Sequence, residues 1–124
     1  MRLLLDTHVV LWELNGSRTL SRVAEEALDR ATELLFSTVS FAEIGIKASV
    51  GKLTVPPGLA RRVQGLGVRI LPLESTHGLA VAELPLHHRD PFDRLLVAQA
   101  QCEQLTIVTS DPRLAAYDVG VIPT

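Results

Sequence analysis

At 124 residues and 13.5 kDa, the chain has the length of one domain and reads as a single domain over residues 1–124. Hydrophobic residues make up 47% and charged residues 21%, a balance that excludes intrinsic disorder. Twelve basic against fourteen acidic residues, a net charge of −2 and 4% aromatics argue against a broad basic DNA-binding patch or a base-stacking platform, and the lone Cys102 excludes an internal disulfide or a cysteine zinc cluster.

Leu3-Leu4-Leu5 reads as a first strand, and the following helix carries Trp12, expected in core or interface packing. Asp6 interrupts this apolar start too early for a signal peptide, and no apolar run reaches the length of a membrane span, so a cytoplasmic protein without membrane contact is expected. Leu20, Val23, Ala24, Ala27, Leu28 and Ala31 recur at helical spacing, with Glu25, Glu26, Asp29 and Arg30 on the wet side. Leu34-Leu35-Phe36 is the second strand, and residues 40–49 form a helix stopped by Gly51. Leu59, Val63 and Leu66 outline a short helix before a third strand over Val68–Leu71, and residues 75–83 form another ahead of Pro85. The clearest helix runs from 92 to 103, opened by Asp90-Pro91, with Cys102 expected as a small core residue. Thr106–Thr109 is the fourth strand, a short turn follows Asp111-Pro112, and Val119–Ile122 gives a last strand. Continuously apolar strands alternating with helices imply an α/β sandwich with a mainly parallel sheet and right-handed crossovers.

The acids divide into those scattered on helix faces and four groups at helix openings: Asp6, Glu43, the pair Asp90 and Asp93, and Asp111. Each has a capping explanation. Ser40-Phe41-Ala42-Glu43 matches a capping box, and Asp90-Pro91 and Asp111-Pro112 match an N-cap followed by proline. Asp93 meets the helix dipole favourably, and Asp6 caps the first helix. In a parallel sheet, however, strand-to-helix junctions share one carboxyl edge, where α/β proteins bind ligands. Carboxylates converging there to about 5 Å repel by roughly 3 kcal/mol per pair at an effective dielectric near 20. A divalent cation offsets that repulsion. Carboxylates without a paired histidine or cysteine suit Mg²⁺ or Mn²⁺ rather than zinc, and such ions let an acidic pocket accept a polyanion.

These residues fall into four stretches that resemble a known family. Leu3-Leu4-Leu5-Asp6-Thr7-His8 with Leu11-Trp12, Ser37–Lys47 running on to Gly51-Lys52-Leu53, Leu84–Ala100 around Asp90-Pro91-Phe92-Asp93, and Leu105–Asp111 resemble, in order, the motifs of PIN-domain nucleases. The similarity is strongest to VapC-like ribonuclease toxins of type II toxin–antitoxin modules. It implies a PIN-like three-layer α/β/α sandwich and a Mg²⁺- or Mn²⁺-dependent endoribonuclease. RNA phosphodiesters would be hydrolysed by metal-activated water. It carries over Asp6, Glu43, Asp93 and Asp111 as the acidic metal-binding and catalytic quartet. Asp90 and Asp93 both lie in the third motif, and Asp93 matches the acid that introduces the L-x-A-x-A helix, leaving Asp90 as cap and outer acid. Thr7 and Thr109 are auxiliary candidates beside the quartet, with turn and strand-end chemistry as the alternative. Arg89, Arg94 and Lys47 are candidates for RNA phosphates; His87 and His88 read as loop residues.

The resemblance also implies an RNA substrate, a VapB-like antitoxin and a homodimer. The alternatives are a non-toxin PIN nuclease in RNA processing and a catalytically silent PIN-like binding module. A haloacid-dehalogenase-like phosphatase would need an aspartate at position 8, which is His8, and a receiver domain would need a lysine where Thr109-Ser110-Asp111 stands.

Overall fold

The short apolar runs build a five-stranded sheet in the computed structural model, which describes residues 1–124. Its strands are β1 (Arg2–Leu5), β2 (Glu33–Ser37), β3 (Val68–Leu71), β4 (Thr106–Thr109) and β5 (Val121–Pro123). All neighbours are parallel, in the order β3-β2-β1-β4-β5. Leu4 at the centre pairs with Leu35 on one side and Ile107 on the other.

Six helices connect the strands: α1 (Thr7–Asn15), α2 (Arg22–Arg30), α3 (Thr38–Ser49), α4 (Leu59–Gly65), α5 (Ser75–Ala80) and α6 (Pro91–Glu103). Single 3₁₀ turns over Val81–Glu83 and Pro112–Ala116 complete the expected segments. The side-chain alternation of the strands divides the core between two faces. Leu4, Leu35 and Ile107 face a cluster with Leu96, Val97 and Ala100 of α6. Leu3, Leu5, Phe36 and Val108 face Val9 and Val10 of α1, Ala24 of α2 and Val63 of α4. Helices therefore cover the sheet on both sides, the three-layer α/β/α sandwich expected from the unbroken apolar strands.

Local chemistry sets the helix starts. Ser21 caps α2 by accepting from the Ala24 amide, and Asp90 caps α6 by accepting from the Phe92 and Asp93 amides, with Pro91 at the first helical position. The α3 start differs from the expected one. Ser37, not Ser40, is its N-cap, accepting from the Val39 amide at 3.0 Å, so the helix begins at Thr38. Ser40-x-x-Glu43 is therefore not a capping box, and Glu43 stands in the second turn, its carboxylate free for another task. Cys102 is also corrected: it lies on the solvent side of α6 and is exposed.

Candidate metal centre

The strand order reverses direction of growth between β1 and β4, and at such a switch point the loops part and leave a crevice at the carboxyl edge. Asp6 follows β1 directly and Asp111 follows β4 with one residue between. Both acids enter the same pocket of about 580 Å³, joined by Glu43 from α3 and by Asp90 and Asp93 from the start of α6. No hydrophobic side chain lines it. Four segments distant in sequence thus aim five carboxylates into one depression.

Each acid is held by a distinct set of partners. Asp6 is buried; its Oδ1 accepts from the Thr7 amide at 2.7 Å and its Oδ2 from the Thr109 hydroxyl at 2.7 Å. Thr109 also accepts from the Asp111 amide at 3.1 Å, so one hydroxyl links the acids that follow β1 and β4. The Thr7 hydroxyl lies 2.7 Å from Glu43 Oε1 and 2.8 Å from Ser40 Oγ. Its single proton goes to the carboxylate, leaving its lone pair for the Ser40 hydroxyl. Glu43 Oε2 is 2.6 Å from Lys47 Nζ. Asp111 meets the Arg113 guanidinium at 2.9 and 3.1 Å.

Asp93 is bound by a residue that sequence reasoning assigned to a loop. His88 is buried, its Nε2 2.8 Å from Asp93 Oδ2 and 3.6 Å from Asp111 Oδ2. The expectation of carboxylates without an associated histidine is thereby corrected. Nothing in the spacing of His88 and Asp93 distinguishes this contact from an ordinary loop, since it depends on how residues 84–90 fold over the end of β4. His8, Ser110 and Arg113 also line the pocket and were not singled out from the sequence.

Burial and charge crowding act together on these acids. Burial raises the Asp93 pKa to about 6, with the Asp6 and Asp90 charges adding to the shift and His88 opposing it. Burial also raises Asp6, against the hydrogen bonds from Thr109 and Thr7. The Arg113 hydrogen bond holds Asp111 below the usual carboxylate range, and the bond to Glu43 holds Lys47 above the usual amine range. A carboxyl raised first by burial and then by other acids marks a place short of positive charge. The carboxylate donors fit a divalent cation of the Mg²⁺ or Mn²⁺ class, and His88, Asp93 and Asp111 place polar side-chain atoms within 4.8 Å of one another.

Of the three candidate phosphate-binding cations, Lys47 lines the pocket, whereas Arg89 is exposed and outside its lining. Arg94 is turned away. Its guanidinium donates to the carbonyls of Pro85 at 2.9 Å and Val81 at 3.4 Å and lies 3.2 Å from the Tyr117 hydroxyl, so it braces the loop that carries His88.

The all-parallel three-layer sandwich thus carries its carboxylate pocket at the switch point, where α/β domains bind their ligands. The PIN domain family matches residues 3–120. Over 121 residues the chain is 31% identical to Ribonuclease VapC22 of Mycobacterium tuberculosis, covering 92% of this chain and 90% of that protein. Among solved structures, VapBC2 from Rickettsia felis bound to a promoter DNA fragment superposes with a TM-score of 0.73 at 16% identity, covering 99% of this chain and 98% of that one. VapBC-5 from Mycobacterium tuberculosis superposes at 0.64 and 20% identity, with 99% and 98% covered. The chain belongs to the PIN-domain family.

Proposed function

We propose that the chain is a Mg²⁺- or Mn²⁺-dependent endoribonuclease and the toxin of a VapBC-type toxin–antitoxin pair. The observation that carries this is the convergence of Asp6, Glu43, Asp93 and Asp111 in one pocket of a PIN chain that is 31% identical to Ribonuclease VapC22. Asp6, Glu43, Asp93 and Asp111 would hold the cation, with Asp90 as an outer acid. When bound, it supplies charge neutralisation at a phosphodiester and a lowered pKa for water. The remaining tasks fall to this chain's own groups. Thr7 and Thr109 fix the Glu43 and Asp6 carboxylates, Lys47 and Arg113 line the pocket and would meet phosphate oxygens, and the absence of apolar lining would keep it wet for hydrolysis.

The test is cleavage of single-stranded and structured RNA by the wild type with Mn²⁺ or Mg²⁺, beside Asp6→Asn and an EDTA control. Products from the wild type alone support the proposal. Equal cleavage in all three would overturn it. Absence of Mn²⁺ binding by calorimetry, with the fold intact, would favour a silent PIN-like binding module.

The VapB-like partner is proposed from the complexes named among the structural relatives. Growth arrest on expression, relieved by co-expressing a small reading frame next to the gene, tests the toxin role; no arrest would point to a PIN nuclease of RNA processing. A homodimer in the cytoplasm completes the proposal, checked by light scattering and fractionation. No helix is long and apolar enough to cross a membrane.

A further inference from the structure

Beside the acidic pocket lies a second depression of about 500 Å³, between α1 and the segment that follows α3. The two share His8 and Lys47 as a common wall. Their chemistry is opposite: five carboxylates converge in the first, and none lines the second. Lys52 stands in this groove exposed and without an ion pair, and Trp12 and Leu53 give it an apolar floor. The Arg18 guanidinium lies 4.3 Å from the Trp12 ring centroid, a cation over the indole face. The indole is half-buried, so Trp12 is not wholly consumed by core packing.

We infer that this groove is a subsite for the RNA strand beside the scissile phosphate, taking one flanking nucleotide with its phosphate at Lys52 and its base against Trp12. The inference rests on the nuclease function proposed above. A polyanion whose reacting phosphate enters the acidic pocket must continue somewhere, and the groove is the contiguous carboxylate-free space. Lysine matches a phosphate as a point charge, while an indole with an arginine over its ring offers a stacked cation–aromatic pair that takes a base of any identity. The volume falls within the range of small-molecule sites. A net charge of −2 over the whole chain thus coexists with a local polarity that switches sign across His8 and Lys47.

Trp12 is the only tryptophan, so its emission reports on this groove alone. In Mg²⁺, Asp6→Asn protein is titrated with a short end-labelled single-stranded RNA, recording label anisotropy and Trp12 emission together. Emission is expected to fall in step with the rise in anisotropy. In the same background Lys52→Gln weakens binding about fivefold and flattens the plot of log K against log salt by about 0.7. Trp12→Leu weakens binding at least about fivefold, and Trp12→Phe recovers most of the loss. Matching thermal melts exclude misfolding.

Anisotropy that rises while Trp12 emission stays constant and Lys52→Gln keeps the parent's affinity and salt slope would overturn the groove and leave the nuclease standing. No RNA binding together with no cleavage by the wild type would remove the nuclease and the groove with it. Quenching of Trp12 by a glutamate-rich peptide but not by RNA would also overturn the inference and give the groove to a protein partner.

Discussion

His88 bridges Asp93 and Asp111, with Nε2 2.8 Å from one carboxylate and 3.6 Å from the other. Its Nδ1 accepts from the Asp90 amide at 3.4 Å, which assigns the ring proton to Nε2 and makes the imidazole a donor toward Asp93. In the metal-free chain this donor stands between two acids that would otherwise face each other. Replacing it leaves both without that partner, so His88→Ala is expected to lower metal-free stability by about 1–2 kcal/mol. Saturating Mn²⁺ supplies the missing charge and narrows the gap in Tm from the wild type. Thermal melts with and without Mn²⁺ check this; a gap that stays constant contradicts it.

Asp93 links the site to pH. Its folded pKa of about 6 stands above the ordinary value of 3.8, so between these pH values the folded chain binds more protons than the unfolded one. The associated stability is present in full below pH 3.8 and is lost as pH rises through 6. Metal-free Asp93→Asn is therefore expected to be more stable than the wild type at pH 7, by about 1–2 kcal/mol after allowance for solvent screening, while losing Mn²⁺ binding. Urea melts at pH 5 and pH 7 test the sign. A metal-free variant less stable than the wild type at pH 7 would refute it.

Thr109 holds two acids with one hydroxyl. Thr109→Val keeps the shape and removes both bonds, leaving Asp6 Oδ2 and the Asp111 amide without their partner. A loss of about 1–3 kcal/mol in stability and of about tenfold or more in metal affinity is expected. Calorimetry with Mn²⁺ measures the second effect, and an unchanged affinity would show that the hydroxyl does not orient Asp6.

Arg94 braces residues 81–88 through their carbonyls. Arg94→Ala should lower stability by about 2–3 kcal/mol, and Arg94→Lys should recover little because an ammonium cannot reproduce the planar fork. A weakened Mn²⁺ affinity in both variants is expected because the loop carries His88. RNA affinity that falls in Arg94→Lys while stability is unchanged would instead favour a direct phosphate contact.

The sheet was legible because its strands are mostly apolar runs separated by amphipathic helices. Asp6 and Asp111 were legible as a pair because strand–helix junctions in a parallel sheet fall on one edge, and Asp93 because it stands in the opening turn of α6, three residues after Asp90. Glu43 was found through a misplaced local reason: Ser40 resembles a cap, yet Ser37 takes the role because β2 ends there and its hydroxyl meets the Val39 amide first. His88 and Arg94 were legible only as a loop histidine and a surface cation, since their partners depend on the path of residues 81–90. Cys102 looked like core from its place in α6, but the helix turns that position toward solvent.

The central strand is the first to be synthesised, and its neighbour β4 forms from residues 106–109. Asp6 and Thr109 are 103 positions apart, so the bond that joins them closes only after residue 109 has been made. A nascent chain folding from its N-terminus would expose β1 without the partner that places Asp111 beside Asp6. The acidic constellation is therefore absent until β4 and Asp111 have been made. A chain that cuts RNA would be harmless to the ribosome and message that produce it until β4 has emerged and paired with β1, a delay written into the strand order itself.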